Sequence, residues 1–275
     1  GEGKIRNQGD LDRGRAVDID VSAFLQFKYL PLWLTEPCDL DIPLPMLLEF
    51  KDINYKYPGS AKEVFKNLTC AITAPGFHAL FGPSGVGKTT LAKMTTGDIG
   101  GFSGKISVRQ IDHILYAYNL ERLPGWTSVQ EHLAATTPDL NKGKIDELVS
   151  AFGLEACMHS RFVQLSLGQQ NRTNLARYLL QDFDLLIMDE SLANVDEVTK
   201  EKIILKMKAM FPHRCFLYIS HNVVEVAKFC KQILILRSLH KTPQTLSIRG
   251  QDYANGMPPP QKDLEDTMLE IVNAL

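Results

Sequence analysis

The sequence predicts an α/β fold with a mostly parallel core sheet, an antiparallel β region ahead of it and a helical region inserted within it. Three observations carry that expectation. Residues 183–188 and 215–219 are short, almost wholly apolar runs of the kind that strands covered on both faces produce. Helical periodicity surrounds and separates those runs, the pattern of strands joined by crossover helices. Between residues 47 and 73, apolar and polar positions instead alternate, as in half-exposed strands.

Residues 1–46 differ from the rest. They begin polar and charged, pass through Phe24, Phe27, Leu30 and Trp33, and carry Pro31, Pro37, Pro43 and Pro45, which exclude a long helix. This segment is expected to be an N-terminal extension that packs through its aromatic residues. Strands are expected over 47–57 and 63–73, joined by a turn at Tyr57-Pro58-Gly59-Ser60. A short strand at 77–81 leads into a glycine-rich loop and a helix over 88–98. A further strand is expected over 104–114 and another around Tyr116-Ala117-Tyr118. From 129 to 180 the period is helical; Ile145, Leu148, Val149 and Phe152 share one face, and Gly153 is placed to end that helix. A helix over 198–211 separates the two buried runs. Strands at 233–236 and 245–248 close the sheet. After Pro258-Pro259-Pro260, a last helix is expected to bury Leu264, Met268, Ile271, Val272 and Leu275. The organisation is thus an extension (1–46), a main domain (47–245) with a helical subdomain at about 119–180, and a tail (246–275) ending in an amphipathic helix.

With 44% hydrophobic and 23% charged residues among 275, the chain has a globular composition, which excludes disordered, collagenous and coiled-coil classes. A formal charge of -2 speaks against a dedicated nucleic-acid binder. The five cysteines form no CxxC pair or Cys/His cluster of zinc spacing, so free thiols in a reducing cytosol are expected. No apolar stretch approaches the ~18 residues needed to span a bilayer.

Gly82-Pro83-Ser84-Gly85-Val86-Gly87-Lys88-Thr89 fits G-x-x-x-x-G-K-[ST] at every fixed position. Glycines let backbone N–H groups turn inward and approach phosphate oxygens closely. The helix that follows adds the positive end of its dipole. Lys88 supplies a cation for the β- and γ-phosphates, and the Thr89 hydroxyl a ligand for Mg²⁺. The segment from Gly82 to Thr90 is therefore the expected nucleotide-binding loop, and the fold class becomes that of a P-loop NTPase.

The run at 183–188 ends in Asp189-Glu190. A parallel strand adjacent to the phosphate-loop strand is expected to bring Asp189 to Thr89, where it holds Mg²⁺ through water. Glu190 then faces the γ-phosphate and orients or deprotonates an attacking water.

Leu165-Ser166-Leu167-Gly168-Gln169-Gln170-Asn171-Arg172 begins one residue before Ser166, which lies 23 residues before Asp189. It reads as a capped helix start, with Ser166 as N-cap and Gly168 permitting close approach. A helix start with a hydroxyl and an unobstructed N–H is a second phosphate-binding site.

The phosphate loop, this Leu-Ser-x-Gly-Gln signature, Asp189-Glu190 and a strand-end His221 occur in the order of the ATP-binding cassette (ABC) ATPases, which the chain resembles over about residues 47–240. The resemblance implies subunits that pair head to tail, with ATP between one subunit's phosphate loop and the other's signature, so that Ser166, Gly168 and Gln169 serve the partner's nucleotide. Tyr57, 25 residues before Gly82, is similar to the aromatic that stacks on adenine. Asp196 resembles the dimer-contact aspartate, and His221 the switch histidine at the γ-phosphate. Three positions depart from the family pattern: Leu167 stands where glycine is usual, Ser191 where proline often follows the glutamate, and Asn119 where a glutamine couples helical subdomain and metal. Asn119 still offers an amide oxygen to Mg²⁺, with less reach.

The resemblance further implies a hydrolysing subunit of a transporter, with a second, identical ATPase subunit and separate integral-membrane permease subunits as partners, at the cytoplasmic face of the membrane. The stretch from Asn119 through Leu123-Pro124-Gly125-Trp126 to Val129 is similar to the nitrate, sulfonate and taurine branch of importers. A cytosolic non-transport ABC ATPase, or a catalytically weak regulatory one, is the alternative.

Overall fold

A run such as Leu185-Leu186-Ile187-Met188 has no polar face because, in a sheet covered on both sides, every residue is inside. The computed structural model describes residues 47–275 except 120 and 255; the expected N-terminal extension and its aromatic residues lie outside the described residues. Two sheets are present among the described residues. In the first, β1 (Leu47–Lys56) lies between β2 (Glu63–Ile72) and β4 (Ser103–Arg109), antiparallel to both. The β1–β2 connection turns at Tyr57, whose carbonyl accepts from Ser60 N–H at 3.0 Å.

The second sheet has six strands, in the order β5 (Ile114–Tyr118), β6 (Leu185–Asp189), β7 (Cys215–Ile219), β3 (Gly76–Phe81), β8 (Gln232–Leu236) and β9 (Thr245–Arg249). All neighbours are parallel except β8 and β9. Seven α-helices lie among the described residues: α1 (Lys88–Thr95), α2 (Val129–Thr136), α3 (Ile145–Ala151), α4 (Leu167–Leu179), α5 (Glu197–Met210), α6 (Val223–Phe229) and α7 (Gln261–Ala274).

Side-chain alternation along β6 divides the core in two. Leu186 and Met188 join Phe77, Phe216, Leu175 and Ile204 on the side covered by α4 and α5. Leu185 and Ile187 join Leu217, Leu80, Phe50 and Leu91, between the large sheet, the three-stranded sheet and α1. Each such fully buried large side chain contributes roughly 1.5–3 kcal/mol, so the large sheet is a stiff platform for whatever its strand ends carry.

Four expectations are corrected. The strand expected over 104–114 is two: β4 ends at Arg109, and β5 starts at Ile114 in the other sheet. The break passes through Gln110, whose φ of 54° suits a turn and not a strand. The strand ending in Asp189 is not adjacent to β3, because β7 lies between them. Helix α6, only 7 residues long, was not expected. On α7, Ile271 is buried, with Leu264, Met268 and Leu275 half-buried, whereas Val272 is exposed. Cys157, Cys215 and Cys230 are buried free thiols and Cys70 a half-buried one.

Candidate functional site

Parallel register explains why residues far apart in sequence meet. Leu80 of β3 and Asp189 of β6 both pair with Ile219 of β7, so the three strands end on one edge of the sheet. Gly82, Glu190 and Ser220 begin the loops that leave that edge. At Gly82 φ is 154°, and a Cβ would stand 2.3 Å from the carbonyl oxygen of Leu236 at the end of β8. No side chain fits there, so the turn into the phosphate loop requires glycine. Lys88, at the start of α1, is buried, and its Nζ donates to the carbonyls of Gly82 at 2.7 Å and Pro83 at 2.9 Å. Burial lowers its pKa, while the neighbouring Asp189 and Glu190 carboxylates oppose that shift.

Thr89 Oγ1 donates to Asp189 Oδ2 at 2.7 Å, even though β6 and β3 are separated by a strand. The same oxygen accepts from the Tyr116 hydroxyl at 2.8 Å. Thr89, Asp189, Glu190, Asn119 and Tyr116 line one open cavity of about 500 Å³. No cluster of three or more His, Cys, Asp or Glu side chains suited to a metal occurs among the described residues. One hydroxyl and one carboxylate beside open space suit Mg²⁺, which keeps water and phosphate oxygens as most of its ligands. The donor set therefore fits that ion. Asn119 is half-buried; its N–H donates to the Asp189 carbonyl at 3.0 Å, and its amide oxygen accepts from Asn171 Nδ2 at 2.9 Å.

Glu190 adopts a left-handed backbone, with φ 53°. For a non-glycine residue this is strained, and such strain persists only where surrounding contacts hold it. Its N–H donates to the Ile219 carbonyl at 3.0 Å, and its carbonyl accepts from Ala193 N–H at 2.9 Å. The side chain thereby meets His221, Oε1 to Nε2, at 2.6 Å. Where proline often follows the glutamate in the family pattern, Ser191 is buried and donates to the Ala117 carbonyl at 2.8 Å, tying this turn to β5.

Tyr57 is 43% exposed, and its hydroxyl hydrogen-bonds Thr90 Oγ1 at 2.8 Å. It shares a cavity of about 360 Å³ with Lys88, Thr89, Asp189, Glu190 and His221. The structure thus gathers Tyr57, the phosphate loop, Asp189, Glu190, His221 and Asn119 along one edge.

Ser166, Gly168, Gln169 and Asp196 line neither of these two cavities. Ser166 caps α4 in a reciprocal box: its Oγ accepts from Gln169 N–H at 3.3 Å, and its N–H donates to Gln169 Oε1 at 2.9 Å. A Cβ on Gly168 would come within 2.4 Å of the Asn194 carbonyl. The neighbouring Asn171 Nδ2 donates to the Ala193 carbonyl at 2.7 Å. The start of α4 is therefore docked on the backbone that joins Glu190 to Asp196. Leu167 is 51% exposed. Asp196 caps α5, and the Thr199 N–H that its carboxylate accepts, at 2.9 Å, holds its pKa below the usual range. Trp126 stands 78% exposed beside the helical region, which excludes a packed-core role for it.

Sequence reasoning missed two site residues. Tyr116 served only as a strand marker, although it lies two residues before Tyr118 on the same strand face and three before Asn119. Asn171 passed as an ordinary helix residue inside the signature, yet it ties Asn119 to the Ala193 backbone.

Residues 65–193 match the family model described as ABC transporter. A probable metal transport system ATP-binding protein of Thermotoga maritima is 29% identical over 215 residues, 75% of this chain and 88% of that one. The molybdenum import ATP-binding protein ModC of Saccharophagus degradans is 31% identical over 66% of this chain and 55% of its own length, so the chain spans about half of that relative. The taurine import ATP-binding protein TauB of Roseobacter denitrificans is 28% identical, over 65% of this chain and 72% of its own. Among solved structures, a bacterial Atm1-family ABC exporter with ATP bound has a TM-score of 0.63 at 18% identity, covering 84% of this chain and 42% of that one. A putative metal-chelate type ABC transporter in an inward-facing conformation gives 0.60, also at 18% identity, over 74% and 83%. The family match at residues 65–193 takes in the phosphate loop, the signature helix and Asp189-Glu190, so that stretch is an ATP-binding domain of the ABC transporter type.

Proposed function

We propose that the chain is the ATP-binding and hydrolysing subunit of an importer, closing head to tail with a second copy to drive separate integral-membrane permease subunits from the cytoplasmic face. The observation that carries this reading is the convergence of Lys88, Thr89, Asp189, Glu190 and His221 on one cavity, with Glu190 and His221 2.6 Å apart. Lys88 and the loop N–H groups bind the β- and γ-phosphates, and Tyr57 takes the base. Thr89 and Asp189, with Asn119, hold Mg²⁺, which when bound neutralises charge on the phosphoryl oxygens. Glu190 accepts a proton from the attacking water as its oxygen bonds to the γ-phosphorus and the bond to the bridging oxygen breaks, releasing ADP. His221 holds the Glu190 carboxylate and the γ-phosphate in line. Ser166, Gly168 and Gln169, which do not line their own subunit's phosphate cavity, serve the partner's nucleotide, and Asp196 stands at the same seam. The import-named relatives for molybdenum and taurine support the direction of transport.

The test is Glu190→Gln. That variant should bind ATP with near-normal affinity, lose turnover by about 100-fold or more, and elute as a dimer with ATP. A monomeric profile under those conditions overturns head-to-tail closure, and unimpaired turnover overturns Glu190 as the base. For the transport assignment, affinity purification of the full chain from source-cell membranes should recover a multi-span protein stoichiometrically; recovery of water-soluble partners alone overturns it.

A further inference from the structure

The cavity holding Lys88, Thr89, Asp189, Glu190 and His221 is built for anion and metal, and it ends at Tyr57, Val64, Ser84 and Gly85. A second cavity, of about 340 Å³, begins at those same four residues and extends away from the carboxylates. Its chemistry is different. Tyr57, Val64, Val86 and Leu239 supply its apolar lining, while Ser60, Lys62, Glu63, Ser238, His240 and Gln244 add polar and charged groups. A slot that mixes apolar surface with hydrogen-bonding groups of both kinds suits a flat heteroaromatic base and its ribose.

Ser238, Leu239 and His240, which also line the slot, belong to the connection between β8 and β9, and that connection is anchored on three sides. Arg237 N–H donates to the Gln244 carbonyl at 2.8 Å, closing the connection. The Leu236 carbonyl sits against Gly82, where a Cβ would be only 2.3 Å away, so this connection leaves β8 in contact with the phosphate loop. The buried Gln244 side chain accepts from Lys66 N–H at 3.0 Å and donates to the Val64 carbonyl at 3.0 Å, fixing the far end to β2. Between these anchors, Ser238 and His240 are exposed toward the slot. A connection held at both ends orders its tip before any ligand arrives, which lowers the entropy lost on binding.

We propose that the lip at residues 238–240 is the second wall of the base-and-ribose subsite, and that His240 is a specificity-determining contact for the nucleoside end of the nucleotide. This rests on the nucleotide-binding reading above: with the triphosphate on Lys88, the nucleoside passes Tyr57 into the slot that His240 borders. The imidazole offers one donor and one acceptor nitrogen, which matches a base edge or a ribose hydroxyl.

The experiment is calorimetric titration of the full chain with ATP and with inorganic tripolyphosphate, comparing wild type, His240→Ala, His240→Gln and Lys88→Ala. For His240→Ala, the ATP Kd should rise about five- to tenfold while the tripolyphosphate Kd stays within about twofold, the difference expected from one lost hydrogen bond. His240→Gln, which keeps a donor and an acceptor, should recover part of the loss. An unchanged ATP Kd in His240→Ala overturns the inference, as does equal weakening of ATP and tripolyphosphate. Failure of the underlying reading looks different: ATP and tripolyphosphate binding would both be insensitive to Lys88→Ala.

Discussion

Tyr116 donates its hydroxyl to Asp189 Oδ2 at 2.8 Å, the oxygen that also accepts from Thr89 at 2.7 Å. Burial, followed by the Asp189 charge, raises the phenol's pKa, so it stays a donor at any working pH. A carboxylate fixed by two donors presents its other oxygen in one direction, which is how supporting groups tune a metal site. Tyr116→Phe keeps the ring that stacks on Tyr118 and removes only this donor. It should raise the Mg²⁺ concentration for half-maximal effect about tenfold, while metal-free ATP binding is unchanged. Titration of Mn²⁺ binding by electron paramagnetic resonance in the presence of a non-hydrolysable ATP analogue checks this apart from turnover; an unaltered metal affinity removes Tyr116 from the site.

Lys88 is buried against the carbonyls of Gly82 and Pro83, with the Asp189 and Glu190 carboxylates favouring its charge. Truncating a buried, hydrogen-bonded charge that meets an anionic ligand costs about 2–5 kcal/mol. Lys88→Ala should therefore weaken ATP binding by about 30-fold or more, measured by calorimetric titration with ATP. Affinity equal to wild type contradicts the placement of the triphosphate on this loop.

Gly168 separates packing from contact with a partner. A methyl group at this position meets the Asn194 carbonyl at 2.4 Å, and the backbone on either side is fixed by the α4 cap and by Asn171. Gly168→Ala should lower folding stability by about 1–3 kcal/mol through overpacking and misplace the loop carrying Asp196. Leu167→Ala, at a side chain 51% exposed, should change stability by about 0.5 kcal/mol or less. Urea unfolding of the two variants compares them directly; equal stabilities place the strain elsewhere.

Contact distance in sequence decided what was legible. The phosphate loop is contiguous, and the runs that became β6 and β7 announce burial on both faces by composition, so the sheet and its Lys88 and Asp189 ends were readable. Strand order was not. No local pattern says that β7 inserts between β3 and β6, because pairing across 139 residues, as between Leu80 and Ile219, leaves no trace in periodicity. The break at Gln110 escaped because the polar alternation of β4 runs on toward the apolar start of β5, and only the left-handed backbone there marks the turn. Helix α6 escaped because 7 residues give barely two turns of periodicity. Tyr116 meets Asp189 across 73 residues, a partnership that the register of β5 on β6 creates.

His78 supplies a test of the fold itself. It sits on β3, 1% exposed, with Nε2 on the Ala74 carbonyl at 3.0 Å and no hydrogen-bond partner for Nδ1 among the described residues. Burial is the main cause that lowers its pKa to about 4, aided by the nearby Lys231 and Lys208 charges and opposed by the Ala74 hydrogen bond and by Asp252. An unfolded histidine titrates near 6.5. Between those values the unfolded chain binds a proton that the folded chain refuses, so stability is fully present above pH 6.5 and falls as the pH drops toward 4. The loss amounts to about 3 kcal/mol across that window. His78→Leu keeps the volume apolar and leaves the Ala74 carbonyl without this donor, which costs about 1 kcal/mol at pH 7. Its stability should nevertheless decline less steeply on acidification, so that the two curves cross near pH 6 and the variant is the more stable below it. Urea unfolding from pH 7.5 to pH 4.5 measures both slopes, and parallel curves would mean that His78 takes up its proton in the folded chain as readily as in the unfolded one.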